Sequence, residues 1–410
     1  MPIEYHERVL PNGLRVAGEV NPDAHSAAAG FFVRTGARDE ASGVMGVSHF
    51  LEHMMFKGTE SISADELNRR FDAMGARNNA YTSNEMTCFY AHVIPERLSE
   101  SVDLLSRMMR PALRVDDFTT EKGVILEEIA MYKDNPFWVL YEETIARHYG
   151  SHRLAHRVLG TDETITDLER DAMMVYFNDR YSADNTVLSV SGRLDFDSVC
   201  ATAEELCGDW PTTGATRDTA RPMTGSGGFS MSKEGVSRVY MLGLAAAPSG
   251  QADDRYAAAL AAQILGAGDN SRLHWALVET GLAEEAQAAW DGHDGCGDYF
   301  VFASCDPDRA DQVWDTCMTE AASLTSSIEQ DDLEKLRAKL ATGATLSGER
   351  PGDRMQRLGR QWMTRGSYLT LEDELAMINA VTVDDVKRVL ENFPLTPTTW
   401  GRLTPDDATG

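Results

Sequence analysis

Residues 210–228, WPTTGATRDTARPMTGSGG, divide the chain more sharply than any other stretch. The segment is rich in Pro, Gly, Thr and Ser, lacks apolar periodicity, and reads as a linker. The halves on either side follow one plan. The first runs from a strand (SAAAGFFVRTGA) through helices at about 44–56 and 64–74 to a long strand, NNAYTSNEMTCFYAHVI, then helices near 96–110 and 116–134. The helix at 64–74 opens on a capping box, Ser63 with Glu66, and stops at Gly75. The second half offers a strand (SRVYMLGLAAAP), a helix at about 252–265, a short helix (RLHWALVE) and strands around DYFVFASC, and helices dominate from about 308 onward. Strand-plus-helix layers repeated twice imply an internal duplication. A chain of 410 residues also exceeds what one hydrophobic core usually serves. The expected architecture is α+β, two homologous α/β domains at 1–209 and 229–410, each a mainly antiparallel sheet packed with helices.

Composition excludes several function classes. With 65 acidic against 38 basic residues the net charge is −27, so nucleic acid and anionic membrane are poor partners and cationic peptides would be attracted. No apolar run is long enough to span a membrane. The opening MPIEYHERVLPNGLRVAGEV reads as two strands around a Pro11-Asn12-Gly13 turn, not as a leader. The six cysteines form no CxxC pair, and free thiols in a reducing, cytoplasmic setting are expected.

The first half carries one feature the second lacks. In VSHFLEHMMFKGT, residues 47–59, His49, Glu52 and His53 stand within an apolar run. On a helix, positions i, i+3 and i+4 share a face, so the three side chains project together. Two imidazoles so placed can hold one Zn²⁺, each at about 2.0–2.1 Å. The intervening carboxylate then suits a general base, taking a proton from a water whose pKa zinc lowers toward ~7. The plain alternative is a pair of hydrogen-bonded core histidines beside an acid. At the corresponding place the second half has YAAALAAQILGAG, with no metal ligand.

A catalytic zinc needs a third protein ligand. TTEKGVILEEIAMYKD offers Glu121, Glu127 and Glu128. Two helical turns put Glu121 and Glu128 on one face, about 20° off register, and leave Glu127 on another. Val124, Ile125, Leu126 and Ile129 suggest that this helix is largely buried.

HFLEHMMFKGT, the distal EKGVILEEI, and the blocks FDAMGARNNAYTSNEMTCFYAHV and HRVLGTDETI together resemble the pitrilysin/insulinase-type inverzincin metallopeptidases, nearest their processing-peptidase branch. The resemblance covers most of the chain. It implies zinc, one ion per chain, held by His49, His53 and Glu128, water activation by Glu52, and support of the site by Glu121. It also implies two domains enclosing a chamber, and an edge strand at Asn79-Ala80-Tyr81 on which an extended peptide adds as a further strand. His156 and Arg157, in a further family block, read as structural.

One departure stands out. Active single-chain relatives carry an Arg and a Tyr seven residues apart around a GLAY-like turn, which polarise the scissile carbonyl. Here the equivalent stretch is RLHWALVETGLAEEA, with Leu277 at the arginine position and Glu284 at the tyrosine position; Arg272 has no tyrosine at that spacing. The expectation is a zinc endopeptidase acting on unfolded peptides as a dimer, either with a hetero-partner that supplies the Arg/Tyr pair or as a homodimer. The alternatives are a catalytically silent core-type scaffold subunit and a peptide-binding protein without turnover.

Overall fold

The computed structural model describes residues 3–406. In chain order, β1 (Glu4–Val9), β2 (Arg15–Val20) and β3 (Ala27–Val33) precede α1 (Val47–Met55) and α2 (Ala64–Ala73). Next come β4 (Arg77–Thr82), β5 (Thr87–Val93), α3 (Leu98–Met108), α4 (Val115–Asp134) and α5 (Pro136–Tyr149). The first half closes with α6 (Asp162–Asp167), α7 (Arg170–Arg180), β6 (Thr186–Gly192) and α8 (Phe196–Cys207). Residues 210–226 form neither helix nor strand. The second half begins with β7 (Gly227–Lys233), β8 (Val239–Ala247), α9 (Arg255–Gly266), β9 (Glu285–Gly292) and β10 (Gly297–Cys305). It ends with α10 (Ala310–Ser327), α11 (Gln330–Gly348), α12 (Pro351–Arg365), α13 (Leu371–Ala380), α14 (Val383–Asn392) and β11 (Thr399–Pro405).

Contacts group these elements into two compact units. The first holds residues up to Ile129, His156–Arg217 and Thr345–Leu369; the second holds Ala130–Ala155, Asp218–Ala344 and the chain from Thr370 on. The chain passes from the first unit to the second after Arg217. Two further segments cross over: the one carrying α5 joins the second unit, and the one carrying α12 joins the first.

The first sheet has the order β1-β2-β6-β3-β5-β4, antiparallel except where β2 runs parallel to β6. All seven residues of β3 are buried, because both of its faces are covered. Phe31 joins the core built with Phe50, Leu51 and Met54 of α1, while Phe32 faces the opposite way with Met355 and Leu358 of α12. A strand covered on both faces reads as a continuous apolar run, as AAAGFFV does. Helix α12 lies so close that a Cβ on Gly359 would come within 2.2 Å of the Phe32 ring. Burial of each such large side chain contributes roughly 1.5–3 kcal/mol. Buried Glu19 of β2 takes Arg354 at 2.6 Å and Arg357 at 2.8 Å, so α12 brings the counter-charges of the carboxylate it covers.

The second sheet, β7-β11-β8-β10-β9, repeats the first strand for strand from β2 onward, with β7 parallel to β11 and the other pairs antiparallel. One face packs Ala261 and Leu265 of α9 with Val313 of α10 and Val389 of α14. Its other face is covered by α5, whose Leu140 and Tyr149 pack with Leu242, Leu244, Phe302 and Leu403. The duplicated α/β plan expected from the sequence is thus present. In it α9 corresponds to α1, and edge strand β9 to edge strand β4.

Two local expectations are corrected. NNAYTSNEMTCFYAHVI is a hairpin of β4 and β5, not one long strand. Ser83 makes the turn, its hydroxyl donating to Met86 O at 3.0 Å and accepting from Met86 N at 3.1 Å, a habit of Ser in turns. Within RLHWALVE, His274–Val278 forms a turn of π-helix. No helix among the described residues is long and apolar enough to cross a membrane.

Candidate metal centre

Helix α1 is held at its start by two devices. Gly46 precedes it at φ +93, and a Cβ there would come within 2.6 Å of Leu159 O. The buried carboxylate of Glu40 accepts from Gly46 N at 2.7 Å and Ser48 N at 2.8 Å, satisfying donors that a helix start leaves free. Burial pushes the Glu40 carboxyl up to about 8, against the opposing pull of the Ser48 and Gly46 amides. Val47, Phe50, Leu51, Met54 and Met55 are buried, which fixes the rotation of α1 and turns His49, Glu52 and His53 toward α4 and β4.

Helix α4 packs alongside, with Phe118 stacked on Phe50 at 4.7 Å between ring centroids. Its buried residues are Phe118, Glu121, Ile125 and Ile129. Val124, expected inside, is 44% exposed; the buried stripe is narrower than the apolar run implies because polar residues must share this helix's inner face. Glu128 is half-buried beside the stripe, and Glu127 is exposed, as its helical angle requires.

The donor atoms of His49, His53 and Glu128 all lie within 4.8 Å of one another, the only such group of three among the described residues. Nε2 of His49 is 3.8 Å, and Nε2 of His53 3.7 Å, from Oε2 of Glu128. Ligands about 2.0–2.1 Å from a tetrahedral ion stand about 3.4 Å apart, so the set fits zinc after a small contraction. Burial, and then the neighbouring His53, push the His49 pKa down to about 4, leaving the ring neutral as a ligand must be. Its Nδ1 is buried without a hydrogen-bond partner, so the plain alternative of a fully hydrogen-bonded core histidine does not describe it.

Around this trio lie further polar groups. Nδ1 of His53 is 2.8 Å from Oε1 of Glu121, and Lys57 forms an ion pair with the other oxygen of that carboxylate. Burial alone would raise the Glu121 carboxyl, but Lys57 and His53 outweigh it and hold the pKa below the ordinary value. Glu52 accepts from Thr82 Oγ1 at 2.5 Å, and burial raises its carboxyl above the usual range. Asn79, Ala80 and Tyr81 lie on β4, which ends the sheet and pairs on one side, with β5. Ala80 packs against the core that includes α1, while Tyr81 faces α12, its hydroxyl donating to Gln356 Oε1 at 2.9 Å. His156 sits 3.1 Å from Ala37 O and 3.3 Å from Ser42 Oγ, in contact with the loop that leads into α1.

Sequence reading missed three contributors. Lys57 stands one turn beyond His53 in the quoted motif, and that spacing was its available signal. Thr82 follows Asn79-Ala80-Tyr81 directly. Glu40 carries no local mark of its role. At the departure from the family pattern, Leu277 is fully buried in the second unit's core, Glu284 pairs with Arg238 at 3.1 Å, and Arg272 is bound to Asp332 at 3.1 Å.

Comparison with known proteins agrees with this layout. Residues 15–162 match the model for Insulinase (Peptidase family M16), and residues 167–340 match that for the Peptidase M16 inactive domain. An uncharacterized zinc protease of Mycobacterium leprae is 33% identical over 92% of this chain and 86% of its own length. Among solved structures, a protease from Helicobacter pylori superposes with a TM-score of 0.90 at 20% identity, over 98% of this chain and 99% of that one. A chain of Complex III2 from Candida albicans superposes with a TM-score of 0.84 at 18% identity, over 98% and 95% respectively. Since the M. leprae relative is a third identical along nearly the whole length, and the family models match both halves, the chain belongs to the insulinase peptidase family, M16.

Proposed function

We propose that the chain is a zinc-dependent endopeptidase that hydrolyses unfolded peptides, with one zinc ion per chain held by His49, His53 and Glu128. The observation that carries this reading is the convergence of those three donor atoms beside Glu52. Bound zinc would supply Lewis acidity, polarising a carbonyl and lowering the pKa of water toward ~7. Glu52 accepts the proton of the attacking water and returns it to the departing amine. Glu121 and Lys57 orient His53 from behind.

In this reading an extended peptide adds to the free edge of β4 beside Asn79, Ala80 and Tyr81. Backbone pairing tolerates many sequences, and the net charge of −27 favours basic peptides. The working enzyme is a dimer, with a hetero-partner supplying the Arg/Tyr pair or with a second copy of this chain. Six buried thiols, with no disulfide among the described residues, suit a reducing compartment, and we assign the cytoplasm. A second reading, a core-type scaffold or peptide-binding subunit without turnover, draws on Leu277 and Glu284 and on the shared fold with a Complex III2 chain.

A fluorogenic, unstructured basic peptide separates the two. Glu52→Gln should keep its zinc and lose at least about 10²-fold in turnover, because an amide cannot accept the proton. An unchanged turnover number in that variant would remove Glu52 from the mechanism, and no turnover in the wild type under any pairing would favour the scaffold.

A further inference from the structure

We propose that Thr82 is a positioning residue that fixes the carboxylate of Glu52 and ties it to the peptide-bearing strand. The inference rests on the reading of Glu52 as the group that activates water. Thr82 is the last residue of β4, paired across the hairpin with Thr87. Side chains on a strand alternate between faces. Ala80 packs toward the α1 side and Tyr81 toward α12, so Thr82, two residues beyond Ala80, points to α1. There its Oγ1 donates to Glu52 Oε2 at 2.5 Å.

A carboxylate on a helix surface has free rotation about its terminal torsions, and a base works only when its oxygen is within reach of the proton it accepts. With Oε2 engaged by Thr82, Oε1 is left for water. The donor comes from the same six-residue strand whose other edge offers backbone groups to the peptide. One hydroxyl therefore sets the base in register with the strand on which the scissile bond is laid out.

The test compares Thr82→Val, which is isosteric but lacks the hydroxyl, with Thr82→Ser, which keeps it. For Thr82→Val, zinc content and melting temperature should match the wild type. Its kcat should fall about 10–100-fold with KM changed by less than about twofold. Thr82→Ser should recover most of kcat. The crystal structure of metal-free Thr82→Val should show the Glu52 carboxylate moved from its place beside residue 82. Thr82→Ala carries the same comparison if the valine variant does not fold. Wild-type kcat in Thr82→Val, or an unmoved Glu52, alongside an inactive Glu52→Gln, would overturn the Thr82 assignment alone. A fully active Glu52→Gln would overturn the reading of Glu52 and this inference with it.

Discussion

Nδ1 of His53 lies 2.8 Å from Oε1 of Glu121, and this contact leaves Nε2 of the same ring facing Glu128. A histidine held through one nitrogen presents the other as a ligand in a fixed orientation and tautomer. Glu121 and Glu128, two turns apart on α4, thus contribute differently, one from behind the ring and one beside it.

Glu121→Gln and Lys57→Met should each weaken zinc binding by about 10–100-fold while leaving the chain folded. The glutamine loses the charge that steadies His53. The methionine leaves the Glu121 carboxylate without its cation. Competition against a chelator of known affinity measures both, and wild-type affinity in the two variants would count against this supporting role.

Glu128→Gln should lose most bound zinc, and Glu127→Gln should keep it. The two are adjacent in sequence, but Glu127 is exposed on another face of α4. Metal analysis of the purified variants decides the matter; equal loss in both would mean that α4 is turned differently around the ion.

These helix-face assignments were legible in the sequence because they depend on local periodicity. The angles separating Glu127 from Glu128 and grouping His49 with His53 follow from 3.6 residues per turn. The duplicated plan was legible for the same reason, strand and helix patterns recurring in order. What escaped was set by the turn chemistry of a single side chain or by distant partners. The Ser83 turn stood inside a run that otherwise looked like strand, and Val124 looked like core until α4 had to present Glu121 inward. Nothing local in residues 345–369 says that α12 returns to cover Phe32, or in 130–155 that α5 leaves for the other sheet. Thr82 and Glu40 act through hydrogen bonds that only the folded chain brings together.

Glu40 gives a pH signature in stability. Its folded pKa, about 8, stands above the ordinary carboxyl value, with Asp39 nearby adding to the effect of burial. A raised pKa means that the folded state binds the proton more tightly than the unfolded chain does. The stabilisation is therefore full below about 4.5 and is lost as pH rises to about 8. Glu40→Gln cannot lose a proton, so its melting temperature relative to wild type should climb between pH 5 and about 8.5. A difference that stays flat or falls over that range would show that the amides at the start of α1 keep Glu40 ionised.

The purified chain should be weakly active alone. Leu277 is buried and Glu284 is acidic, so neither can donate to a scissile carbonyl, and losing one such donor costs about 10²–10³ in rate in other hydrolases. Adding a homologous chain that carries the Arg/Tyr pair should raise activity at least about tenfold. Mass in solution, taken under assay conditions, resolves the alternatives. Full activity in a monomer would refute the dimer, and full activity in a homodimer would refute the need for a second gene product.

The role of zinc is exposed by stripping the metal from the protein and titrating zinc back while following cleavage of an unstructured basic peptide, with any required partner present. Hydrolysis should vanish on removal, return with added zinc, and reach its plateau at one ion per chain carrying His49, His53 and Glu128. Cleavage that persists in the stripped protein, or a plateau at another stoichiometry, would contradict the assignment of this site as the catalytic centre.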